Sequence, residues 1–64
     1  MNNKLKTLRI SAGLSQRQLS ALTGMKQQYI QRYEKGEFKP KLENLVKIAK
    51  ALNKPITDLL EEDF

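Results

Sequence analysis

Residues 15–36, SQRQLSALTGMKQQYIQRYEKG, decide the fold. Leu19, Ser20 and Thr23 fall at i, i+1 and i+4, and after Gly24 and Met25 come Ile30 and Tyr33 at i and i+3. That is the spacing of two short helix faces turned toward one core. Gly24 divides them. A chain that ends one helix and bends tightly into the next takes the left-handed conformation, which is free to glycine and costs other residues about 1 kcal/mol or more. Ser20 lies where the two helices cross most closely, so its small side chain lets the second lie over the first. Ser15 and Gln18 form S-x-x-Q, a capping box that starts the first helix.

With Met25, Ile30 and Tyr33 inward, the second helix keeps Lys26, Gln27, Gln28, Gln31, Arg32 and Lys35 on its outer face. Glutamine bonds bidentately to the N6 and N7 edge of adenine and arginine to the O6 and N7 edge of guanine, both from a helix laid in the major groove. Gln27, Gln28, Gln31 and Arg32 are therefore expected against bases. Lys26, Lys35, Lys39 and Lys41, as flexible point charges, suit DNA phosphates, and Arg17 joins that backbone set. Gln16, left free in the first turn of its helix by the capping box, offers its amide beside a positive helix end, where a phosphate is favoured. Tyr29 has a ring able to pack on a neighbour and a hydroxyl able to reach the DNA backbone.

These residues resemble the lambdoid phage repressor and Cro-type helix-turn-helix family, also called the xenobiotic-response-element family. The likeness runs through LRISAGLSQRQLS, TGMKQQYIQRYEKG and KPKLENLVKIAKALNKPITDLL, over essentially all 64 residues. It implies an all-α fold of five helices with helices 2 and 3 forming the helix-turn-helix, DNA binding through the third, and action as a two-fold dimer. It also implies Gln16 at a phosphate and Gln27, Gln28 and Arg32 at bases. Arg9 and Glu34 match a pair that commonly joins helix 1 to the end of the recognition helix in this family. The chain departs from the pattern at four positions. Lys26 stands at the N-cap of the recognition helix, where serine or threonine is usual, Tyr33 replaces an aliphatic residue, Leu22 takes an often polar position, and Pro55 replaces a capping hydroxyl.

The flanking sequence reads as support. Leu5 and Leu8 give helix 1 an inward stripe, Gly13 ends that helix, and Leu14 enters the core. Leu42, Leu45, Ile48, Ala49 and Leu52 follow helical spacing on helix 4, with Asn53 suited to its left-handed end. Ile56, Leu59, Leu60 and Phe64 offer more apolar surface than one short helix buries, so Leu60 and Phe64 are expected in a homodimer contact. Phe38, in the loop GEFKPK, has no evident core slot.

Composition narrows the function. Sixty-four residues make one domain, residues 1–64, with 39% hydrophobic content. Neither cysteine nor histidine is present, which removes disulfides, thiol and imidazole catalysis and most zinc sites, so no metal and no cofactor is expected. Glu34, Glu37 and Glu43 form no acid–base constellation and no glycine-rich phosphate loop exists, so an enzyme is not expected. Two tyrosines and two phenylalanines make no stacking platform for single-stranded RNA. With no bilayer-length apolar run and no signal peptide, the expected location is cytoplasmic, away from membranes.

Residues 1–54 hold all 12 Lys and Arg against three Glu, a net +9, while residues 55–64 carry −4. A polyanion is drawn to the body and repelled by the tail. The resulting expectation is a sequence-specific regulator that binds double-stranded DNA, a Cro-type repressor in function. The alternative is an antitoxin-like module whose main partner is a protein and whose DNA binding serves autoregulation.

Overall fold

The computed structural model describes residues 4–37 and 39–60, Leu60 through its backbone alone. Five helices follow in order: α1 Lys4–Ser11, α2 Gln16–Thr23, α3 Gln27–Lys35, α4 Leu42–Leu52 and α5 Ile56–Leu60. None exceeds 11 residues, and isolated helices so short are marginal in water, so packing between them holds the fold. Each helix sends one fully buried aliphatic side chain inward: Leu5, Leu19, Ile30, Ile48 and Leu59. Tyr33, Leu45, Ala49 and Leu52 complete the buried cluster, and Leu8, Leu14, Met25, Ala51 and Ile56 pack around it. Helix α2 lies against α3 and α4, α1 against α3, and α5 against α4.

The α2–α3 turn is specified residue by residue. The Ser15 hydroxyl accepts from the Gln18 backbone N–H at 3.0 Å and the Gln18 side chain accepts from the Ser15 N–H at 2.8 Å, closing the capping box at the start of α2. At its other end Gly24 takes φ +73° and donates to the Ser20 carbonyl. The turn is then stitched by two hydroxyls. Ser20 donates to the Met25 carbonyl, and Thr23, donating back to Leu19 at 2.9 Å, accepts from the Met25 N–H at 3.3 Å. Serine at position 20 thus does more than stay small. It bonds the first backbone carbonyl beyond the glycine, which alanine of similar size cannot do.

Beyond its two chain neighbours, no heavy atom lies within 4 Å of the Cβ that alanine would add at Gly24, so Gly24→Ala meets no clash and its cost is conformational. The expected loss is about 1–2 kcal/mol, the penalty of left-handed backbone for a residue with a Cβ, read from urea unfolding. Asn53 shows the same need at the end of α4, with φ +56° and its N–H donating to Ala49 and Lys50 carbonyls.

One expected core position differs. Leu42 is 63% exposed. It is the first residue of α4, and a helical side chain leans over the turn N-terminal to its own Cα; at that end no earlier turn exists, and the buried residue there is Pro40. On α1, Leu8 is half-buried against the core, as expected, and Arg9 is buried beside Leu5, held there by an ionic partner on α3. Leu22, at 61% exposed, faces outward. Phe38, Phe64 and the side chain of Leu60 lie outside the described residues, and with them the dimer contact expected there.

Candidate nucleic-acid interface

Helix α3 buries Ile30 and Tyr33 and leaves Gln27, Gln28, Gln31, Arg32 and Lys35 exposed. Gln27 and Gln31 share one side at i, i+4, and Gln28 and Arg32 the next, so four hydrogen-bonding heads form a contiguous patch along the helix. Lys26 holds the N-cap in extended backbone and makes no side-chain cap bond. The same is true of Lys41 at the start of α4. Two helix N-termini thus stay open and are each led by a lysine, a combination that favours anions.

Two clefts flank α3. One, of about 450 Å³, runs between the turn and the start of α4 and is lined by Met25, Tyr29, Lys39, Lys41 and Asn44 among others. It brings together three residues expected at the DNA backbone, Tyr29, Lys39 and Lys41. The other, of about 400 Å³, is lined by Lys6, Gln16, Gln31, Glu34 and Lys35. Gln16 and Lys35, both expected at phosphates, meet there beside the base-reading candidate Gln31. Arg17 is exposed on α2.

Lys6 and Asn44 did not stand out in sequence. For Lys6 the signal existed: it precedes Arg9 by three, so a link from Arg9 to α3 also carries Lys6 to the end of the recognition helix.

Arg9 and Glu34 join α1 to α3 by two bonds. Arg9 Nε donates to Glu34 Oε2 at 2.6 Å and Nη2 donates to Oε1 at 3.3 Å. Nη1 donates to the Leu14 carbonyl at 2.7 Å. The two side chains are 10% and 4% exposed. Gln16 is not free as its place after the capping box suggested: its Nε2 donates to Glu34 Oε1 at 3.0 Å. An amide nitrogen has two N–H bonds, so one remains for another acceptor.

Among the described residues there is no group of three or more His, Cys, Asp or Glu placed to hold a metal ion, and no helix is long and apolar enough to cross a membrane.

A capped helix, a glycine turn and a second helix with a basic, amide-rich outer face define a helix-turn-helix DNA-binding domain. The chain belongs to the HTH_3 helix-turn-helix family, whose model matches residues 5–59. It is 44% identical over 54 residues to an HTH-type transcriptional regulator of Haemophilus influenzae, across 84% of this chain and 55% of that one. The chain therefore spans about half the length of that relative. With the HTH-type transcriptional regulator YgzD of Bacillus subtilis the identity is 38% over 65 residues, covering 98% of each chain. The crystal structure of the restriction-modification controller protein C.AhdI from Aeromonas hydrophila is similar with a TM-score of 0.84 at 36% identity, over 88% of this chain and 85% of that one.

Proposed function

We propose that this protein is a sequence-specific regulator of transcription that acts as a Cro-type repressor, its α3 reading bases in the major groove of a two-fold symmetric operator as a homodimer. The observation that carries this reading is the outer face of α3, where Gln27, Gln28, Gln31 and Arg32 stand exposed while Ile30 and Tyr33 anchor the helix from behind. Lys26, Tyr29, Lys35, Lys39, Lys41, Arg17 and Gln16 then grip phosphates on either side, fixing register without reading sequence. Repression is steric: a dimer seated on a promoter excludes the polymerase. The similarity to two HTH-type transcriptional regulators supports the same assignment.

The likeness to C.AhdI favours a narrower second reading, in which the gene controlled belongs to a restriction–modification pair. Promoter DNA upstream of such a gene is the probe for it.

The dimer is tested by sedimentation of the chain free and on a duplex carrying two half-sites spaced by about one helical turn, roughly 34–36 Å. Two chains per duplex is the expected result; a monomer when free together with one chain per duplex when bound refutes the dimer. The phosphate contacts are tested by Lys35→Ala. It is expected to weaken binding to all duplexes alike and to make the slope of log K against log salt shallower by about 0.9, the loss of one neutralised phosphate.

A further inference from the structure

We propose that Glu34 is a positioning residue for DNA-backbone binding: its carboxylate, itself clamped by Arg9, holds the Gln16 amide in the orientation that meets a phosphate. The proposal rests on the reading of Gln16 as a backbone contact and adds to it the group that sets its geometry.

An ion pair between α1 and α3 needs Arg9 and Glu34 alone. The structure adds a third donor, Gln16 from the first turn of α2, on the Oε1 atom that Arg9 Nη2 also approaches. The Glu34 side chain is 4% exposed and so has little freedom of its own. The other end of the clamp is equally fixed, because Arg9 Nη1 is tied to the Leu14 carbonyl, one residue before the Ser15 cap of α2. A single network therefore locks α1, the α1–α2 loop, the mouth of α2 and the end of α3.

Ordering a glutamine side chain costs rotamer freedom, and glutamine is among the side chains with most of it to lose. A residue that meets DNA from solution meets this cost on binding. Gln16 meets it on folding instead, and the gain appears in affinity, as preorganisation does generally. Gln27 and Gln28 have no such holder: both are exposed, and neither makes a side-chain bond within the described residues. Gln16 also shares its cleft with Gln31, Lys35 and Lys6, so the held amide sits beside both a base-reading candidate and two cations.

The decisive variant exchanges the pair for apolar residues, Arg9→Met with Glu34→Leu. Such swaps at buried ion pairs are often neutral or stabilising, and this one leaves the net charge unchanged, so long-range attraction to DNA is untouched. Binding is measured on a fluorescent pool of random-sequence duplexes at about 50 mM salt, where backbone contacts carry affinity. In the wild-type chain Gln16→Ala is expected to lower affinity about tenfold, the scale of a hydrogen bond to a charged group, with the salt slope unchanged because glutamine releases no counterion. In the swapped background the swap itself removes a comparable factor, and Gln16→Ala then costs under about twofold, the mark of two residues acting as one unit.

A second readout needs no variant to fold. Nitrogen relaxation of the Gln16 side-chain amide in the free protein is expected near the order parameter of rigid backbone, about 0.85, with Gln27 and Gln28 below about 0.6. A Gln16 amide as mobile as those two overturns the proposal. So does a tenfold cost of Gln16→Ala in both backgrounds, which keeps Gln16 at the phosphate and removes Glu34 from its positioning. No cost of Gln16→Ala in the wild-type chain refutes the backbone contact itself.

Discussion

Arg9→Ala is expected to unfold the domain, or to leave it folded only in the cold. The substitution strands Glu34, whose side chain is 4% exposed and loses both of its bonds from the guanidinium. A carboxylate left in that setting without its cation costs about 3–5 kcal/mol. The whole stability of a chain this size, at about 0.05–0.15 kcal/mol per residue, is about 3–10 kcal/mol. One substitution on α1, away from the recognition face, thus removes a large part or all of the fold. The Leu14 carbonyl also loses a donor at the point where the chain turns into α2. Arg9→Lys is expected to fall between the two, since an ammonium restores the charge but not the fork that reaches Glu34 and Leu14 together. Helical circular dichroism followed through urea unfolding measures all three proteins. A loss below about 1 kcal/mol for Arg9→Ala, the scale of an exposed pair, contradicts a buried clamp.

Arg32→Ala is expected to cost about 1–3 kcal/mol of operator binding and to relax preference at one base position. Arg32 is exposed, lies on the α3 side shared with Gln28 and makes no side-chain bond within the described residues, so its removal leaves the fold untouched. Stability and binding therefore separate for this residue, unlike Arg9. The check is affinity against duplexes in which each base pair of the site is changed in turn: one column of that matrix flattens. Equal loss on every duplex, with a shallower salt slope, moves Arg32 to the phosphates and leaves the base reading to the three glutamines.

Where structure followed from near neighbours, the sequence was readable. The capping box spans three residues, the turn at Gly24 requires one backbone state, and the inward Ile30 and Tyr33 follow a single helical period. Leu19, Leu45, Ile48, Ala49 and Leu52 are buried for the same reason. Periodicity failed where a helix end or a distant partner intervened. Leu42 fits the stripe of α4, yet the stripe has no preceding turn to cover there. Arg9 is buried because Glu34, 25 positions away in sequence, holds the arginine inward. Gln16 looked free because its acceptor lies 18 positions on. No local pattern encodes such a bond; it exists only once α1, α2 and α3 are packed. The exposure of Gln27, Gln28, Gln31 and Arg32 was legible for the opposite reason: no core position of α3 claims them.

Sequence reading by the exposed face of α3 is tested by selecting bound duplexes from a random-sequence pool at about 150 mM salt, where weak nonspecific attraction is suppressed. The expected result is enrichment of a two-fold symmetric site with half-sites about one helical turn apart, some 10–10.5 base pairs centre to centre. A pool that stays random after repeated rounds contradicts it and turns the basic face into a nonspecific anchor beside some protein partner.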